Sequence, residues 1–175
     1  MFEVRSAISE QAIEDMCGHA AQAPSGCFVE FGVYRGGSAI KLAEVARLQG
    51  RALYLYDTFT GIPLADEIDS HVVGDFFDTS VESVRQAIPD AIVVQGIFPE
   101  SIIDMPPIAF VHVDADQYRS VKAACEIFPP LMVDNGVMVF DDYGCLDGAT
   151  KAVHEHFTNI ERTRHGKALV RVHVE

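Results

Sequence analysis

Basic residues are scarce: 13 Lys and Arg stand against 26 Asp and Glu, a formal charge of −13. A chain this acidic lacks the positive field that nucleic-acid phosphates or an anionic membrane surface require, so neither is an expected partner. Cysteine is sparse as well. Cys17, Cys27, Cys125 and Cys145 form no C-x-x-C pair, and their apolar surroundings favour reduced structural thiols over a disulfide or a zinc site. No apolar run approaches the roughly 18 residues that span a bilayer. Met1-Phe2-Glu3-Val4-Arg5 shows no basic segment followed by an apolar one. No secretory signal is read there, and a cytoplasmic setting is expected. G-x-G-x-x-G and G-x-x-x-x-G-K-[ST] are both missing, which argues against a dinucleotide pyrophosphate and a nucleoside triphosphate. Internal repeats, low-complexity stretches and linkers are absent too.

What remains is ordinary globular material. The 175 residues are 49% apolar and 22% charged, which suits a single folded domain over residues 1–175. Five short apolar runs read as strands: 27–32, 52–57, 91–96, 108–114 and 136–141. Each is apolar on successive residues, the pattern of a strand buried on both faces of a parallel sheet. Helical spacing occupies 9–22, 38–48, 80–88, 120–131 and 149–157. The segments 159–164 and 167–174 read as antiparallel strands around His165-Gly166. The expected order is a helix, five βα units and a terminal hairpin. That makes an α/β fold: a Rossmann-like, doubly wound, mostly parallel seven-stranded sheet with one reversed strand.

In such a sheet the ligand sits beyond the carboxyl ends of the strands. Asp57, Gly96, Asp114 and the pair Asp141-Asp142 close four of the five core strands, and Glu30 lies just inside the first. A carboxylate at the end of a buried strand is costly unless it meets a ligand, a cation or backbone N–H groups. The turn Glu30-Phe31-Gly32-Val33-Tyr34-Arg35-Gly36-Gly37-Ser38 has glycines where the backbone must bend and approach a ligand closely. Asp57 follows about 20 residues later, where an acid can accept both hydroxyls of a ribose. A ribose acid without a pyrophosphate fingerprint suggests a nucleoside carrying no phosphate, and S-adenosylmethionine is the common cofactor of that kind. Asp114 and Asp116 should face Asp141 and Asp142 across neighbouring strands. Like charges that close repel unless a hard cation joins them, and oxygen-only ligands point to Mg²⁺ or Ca²⁺. The other readings weighed are a cofactor-binding protein without metal-dependent turnover, a nicotinamide-dependent oxidoreductase and a phosphoaspartyl receiver-like module.

These residues also resemble a known family. The first turn, together with Asp57-Thr58-Phe59-Thr60-Gly61-Ile62-Pro63, Gly74-Asp75-Phe76, Val113-Asp114-Ala115-Asp116-Gln117-Tyr118 and Phe140-Asp141-Asp142-Tyr143, is similar to the macrocin O-methyltransferase family of class I S-adenosylmethionine-dependent enzymes. The resemblance implies an O-methyltransferase acting on a hydroxyl of a small molecule, a sugar or secondary-metabolite diol. It implies that Glu30, Gly32 and Tyr34 line the methionine part of the cofactor, with Gly36 in the turn and Ser38 at its carboxylate. Asp57 would hold the ribose, with Thr58, Phe59, Gly96 and Ile97 around the adenine. Asp114, Asp141 and Asp142 would hold Mg²⁺. Asp114 is the first choice of general base, and Asp116 and His154 are the other candidates. The stretch 64–77 is expected to lie above the cofactor, move, and contact the substrate. A homodimer stays open.

Overall fold

The computed structural model describes residues 6–174. Helix α1 (Glu10–Gln22), strand β1 (Cys27–Phe31), helix α2 (Gly37–Leu48) and strand β2 (Leu53–Asp57) come first. Helix α3 (Val81–Ala87), strands β3 (Ile92–Gln95) and β4 (Ile108–Val113) and helix α4 (Tyr118–Ile127) follow. Strand β5 (Met132–Phe140), helix α5 (Asp147–His156) and strands β6 (Glu161–Arg162) and β7 (Ala168–Val172) complete the chain. The seven strands form one sheet in the order β3-β2-β1-β4-β5-β7-β6. β1 to β5 are parallel, and β7 runs against both β5 and β6. This is the doubly wound sheet with one reversed strand that the apolar runs imply.

Helices cover both faces, so every residue of β1 and β4 is buried. Side chains alternate across the sheet with period two. Phe28, Leu55, Phe110 and Val139 join the core under α1, α2 and α3, and Val29, Tyr56, Val111 and Phe140 the core under α4 and α5. Ser9 caps α1 and Ser80 caps α3, each hydroxyl accepting a backbone N–H three residues on, at 3.3 Å. From β1 the chain winds outward through β2 to β3, then returns to β4 on the other side of β1. The switch point therefore lies between β1 and β4, and the carboxyl ends of β1, β2, β4 and β5 share one rim.

Four expectations need correction. The third strand is not buried on both faces: β3 is an edge strand, and its Ile92 is 40% exposed. No helix follows it. Residues 96–107 run as turns, because Pro99, Pro106 and Pro107 deny helical hydrogen bonds and Phe98 is drawn into the core beside Phe31 and Phe128, at centroid distances of 4.7 and 5.0 Å. The expected helix 120–131 starts earlier and stops at Ile127, where Pro129 and Pro130 turn the chain into a short 3-10 segment. Strand β6 is also only two residues long. No helix among the described residues is long and apolar enough to cross a membrane.

Candidate active site

At the end of β1 the backbone turns through Gly32 (φ 91°) to Gly36 (φ 82°), and α2 starts at Gly37. Gly32 is where the turn meets β4. A Cβ placed there would lie 1.8 Å from the Asp114 carbonyl oxygen, so only glycine lets the two strand ends touch. Asp57 ties the turn to β2. Its Oδ2 accepts from the Val33 and Tyr34 N–H groups at 2.7 and 2.8 Å, and its Oδ1 from the Phe59 N–H at 2.8 Å. A half-buried strand-end carboxylate thus accepts from three backbone donors, and it shapes the turn as well as facing the cavity.

These elements enclose a cavity of about 290 Å³ at the rim. Of the residues expected around the cofactor, Gly32, Tyr34, Ser38, Asp57, Thr58, Gly96 and Ile97 line it. Leu64 and Phe76 from the long β2–α3 connection line it too, which puts that segment over the cavity as anticipated. Phe59 does not line it. Its ring is buried in the core under α1 to α3, because a positive φ (53°) turns it away. Gly36 is also outside: a Cβ there would meet Val84 and Ile88 of the α3 region. Glu30 lies beneath the floor, fully buried. Ser38 Oγ donates to its Oε1, while Oε2 is buried with no hydrogen-bond partner among the described residues.

The acids of β4 and β5 converge as expected. Asp114, Asp141 and Asp142 each offer an oxygen, and the three atoms lie within 4.8 Å of one another. Asp114 and Asp116 line the cavity. Asp142 Oδ2 accepts the Asp116 N–H at 2.9 Å, which helps hold Asp116 at φ 56°. Burial, then Asp142 and Asp141, push Asp114 well above the ordinary carboxylate range. The same causes push Asp116 up to about 8. Burial raises Asp142 to about 6 against the opposing pull of the Asp116 N–H. Such crowding is relieved when a cation joins the oxygens. His154 does not join this cluster. It is exposed on α5 with Nε2 3.0 Å from Tyr143 Oη, and it does not reach the cavity.

Several contributors were not anticipated. His112 of β4 pairs in register with Glu30, and its Nδ1 lies 3.4 Å from Glu30 Oε1. Burial pushes the imidazole down, but Glu30 and then Asp141 and Asp142 push it up further, so its pKa is raised overall. Lys167, just before β7, donates to both Asp141 O and Asp141 Oδ2, at 2.7 and 2.8 Å. His71 of the long connection places Nε2 3.7 Å from Asp116 Oδ1 and Nδ1 3.4 Å from Asp75 Oδ2. Asp69 of the same connection accepts the Tyr118 N–H at 2.8 Å and so caps α4, which has no side-chain cap of its own. The only sequence sign of the first of these was a histidine in an otherwise apolar strand. The others join residues that no local pattern connects.

Comparison with known proteins agrees with this geometry. A family model described as macrocin-O-methyltransferase (TylF) matches residues 8–165. A 4'-O-methyltransferase of Streptomyces olivaceus, acting on 8-demethyl-8-(2,3-dimethoxy-alpha-L-rhamnosyl)-tetracenomycin-C by its name, is 30% identical over 152 residues, which is 75% of this chain and 58% of that protein. A demethyldecarbamoylnovobiocin O-methyltransferase of Streptomyces niveus is 26% identical over 167 residues, covering 83% and 62%. The chain thus spans about 60% of the length of these curated relatives. Among solved structures, the O-methyltransferase NovP superposes with a TM-score of 0.74 at 21% identity, over 94% of this chain and 77% of that one. The calicheamicin methyltransferase CalS11 gives 0.74 at 19%, over 92% and 77%. At these identities the two structures speak for the fold.

Proposed function

The chain belongs to the macrocin-O-methyltransferase (TylF) family, and from that premise we propose that it moves a methyl group from S-adenosylmethionine to a hydroxyl of a small molecule with the help of Mg²⁺. The observation that carries the proposal is the meeting of two things on one rim. A cavity bounded by the glycine turn and Asp57 is lined on its far side by Asp114, one of three acids whose donor oxygens lie within 4.8 Å of one another. The names of the relatives favour a sugar or a secondary-metabolite diol as acceptor.

The residues fit both groups. Glu30 Oε2, buried and unpartnered beneath the cavity, suits the positive end of an amino acid, and Ser38 at the start of α2 suits its carboxylate. Asp57 faces the cavity with one Oδ1 lone pair that its three backbone donors leave for a ribose hydroxyl, and Thr58, Gly96 and Ile97 form the wall for the base. Asp114, Asp141 and Asp142 are an all-oxygen set of the kind hard cations take. When bound, the cofactor supplies an activated methyl and the ion lowers the pKa of a coordinated hydroxyl.

Proton removal falls to the chain itself. Asp114 is the base expected from the sequence, but its carboxylate belongs to the three-acid set. Asp116 lines the cavity beside that set, with His71 behind it. We assign the base to Asp116, held by its turn at the cavity edge where a hydroxyl can reach it. The β2–α3 connection covers the cavity with Leu64 and Phe76 and excludes water there.

Calorimetry with S-adenosylhomocysteine tests the reading directly. The intact chain should bind it, and Ile97→Arg, which fills the cavity from an exposed position, should abolish binding and leave the fold intact. An intact chain that binds no S-adenosylhomocysteine overturns the proposal.

A further inference from the structure

We infer that Lys167 is a specificity-determining residue of the proposed metal site: it sets the net charge of the acid cluster, restricts how Asp141 can ligate, and thereby selects a small divalent ion. The inference rests on the metal reading above. Lys167 arrives from a distant part of the chain, the turn between β6 and β7, and clamps Asp141 through its backbone carbonyl and Oδ2. The contact is largely shielded from water, with the lysine side chain 19% exposed and the aspartate 13%. It is therefore screened less than a surface ion pair.

Two consequences follow from simple chemistry. Three carboxylates and one ammonium leave two net negative charges, which one divalent ion neutralises. Without the ammonium the same oxygens carry a third charge and favour ions of higher charge. In addition, an Asp141 whose Oδ2 already accepts from the Lys167 ammonium offers that oxygen less readily to an ion, which disfavours bidentate ligation. Bidentate carboxylates and higher coordination numbers suit Ca²⁺, whereas Mg²⁺ takes single oxygens in a compact octahedron. The lysine acts against the larger and the more highly charged ion together. His112 and Glu30 lie behind the cluster as a second, fully buried pair, in which the imidazole carries charge only when protonated. Lys167 is the basic side chain that bonds a member of the three-acid set directly.

The experiment measures Mg²⁺, Ca²⁺ and Tb³⁺ affinities by calorimetry and terbium luminescence on the whole chain, without substrate. Wild type, Lys167→Met, Lys167→Gln and Lys167→Arg are compared after circular dichroism has checked their folds. The Met and Gln variants should raise Ca²⁺ and Tb³⁺ affinity relative to Mg²⁺ by about tenfold or more. The Arg variant keeps the charge and should hold the wild-type Tb³⁺ to Mg²⁺ ratio within about threefold. Met and Gln variants with the wild-type ratios overturn the inference and leave Lys167 a structural latch. A wild type that binds none of the ions overturns the metal reading and this inference together, while S-adenosylhomocysteine binding reports on the cofactor reading separately.

Discussion

Gly32 and Gly74 have nearly the same backbone conformation, φ 91° and 93°, in very different surroundings. An alanine at Gly74 meets nothing within 4 Å, so Gly74→Ala suffers only the strain of a side chain at positive φ, about 1–2 kcal/mol. An alanine at Gly32 carries the same strain and also puts its Cβ 1.8 Å from the Asp114 carbonyl oxygen and 2.5 Å from its carbon. These are backbone atoms directly after the buried strand β4 and cannot swing aside as a side chain would, so the turn and the end of β4 must part. Overpacking of that kind adds about 1–3 kcal/mol. Gly32→Ala should therefore lose about 2–5 kcal/mol in all, and for a domain of this size its Tm should fall by roughly 5–20 °C. Gly74→Ala should fall by only a few degrees. Because the displaced atoms belong to Asp114, Gly32→Ala should also weaken both S-adenosylhomocysteine and Mg²⁺ binding, which Gly74→Ala should spare. Differential scanning calorimetry and titration calorimetry on the pair decide the matter. Equal Tm values for the two variants would refute the claim that strand contact, and not backbone conformation, requires glycine at the cofactor turn.

Other outcomes are open to measurement. Asp69→Ala removes the distant cap of α4 and should lower stability by about 1 kcal/mol, seen as a Tm drop of a few degrees; an unchanged Tm would mean that water replaces the cap without cost. Asp142 and Asp116 have folded pKa values raised from 3.8 to about 6 and about 8, and that of Asp114 is raised too. The folded state therefore binds more protons than the unfolded one over this window, and stability present at pH 4 is lost as pH rises through 6 to 8. The raised pKa of His112 acts with the same sign. Chelator-treated protein should accordingly melt at a lower temperature at pH 8.5 than at pH 5, and saturating Mg²⁺ should flatten the slope; a Tm that rises over this range contradicts the assignment. The double variant Asp141→Ala, Asp142→Ala should lose Mg²⁺ binding and turnover yet bind S-adenosylhomocysteine within about threefold of wild type, since neither residue lines the cofactor cavity. Retained, chelator-insensitive turnover would remove the metal from the mechanism.

Much of this site is written in the chain locally. Asp57, Asp114, Asp141 and Asp142 could be placed because each follows a short apolar run, and the end of a buried parallel strand is a poor place for a charge without a purpose. Gly32 and Gly36 could be placed because a strand-to-helix turn that bends this sharply favours glycine. The family motifs joined those positions into one chemistry. Phe59 and His154 show the limit of that reasoning. Nearness in sequence to Asp57 put Phe59 at the adenine, but the turn of the backbone buries its ring on the opposite side of the sheet. His154 had a suitable side chain on a plausible helix, and no residue of that helix lines the cavity.

The sequence by itself determined the alternation of strand and helix, the single rim of acids and the kind of ligand such a rim can hold. These depend on hydrophobic period, turn chemistry and the energetics of burying charge, all of which act over a few residues. Only the tertiary structure decided that β3 lies at the edge, that His112 stands opposite Glu30, that Asp69 caps α4, and that Lys167 neutralises part of the acid cluster. Each of these depends on strand order and register or on where a long connection returns. Such contacts join residues far apart in the chain through the packing of the whole domain, and local propensity carries no record of them.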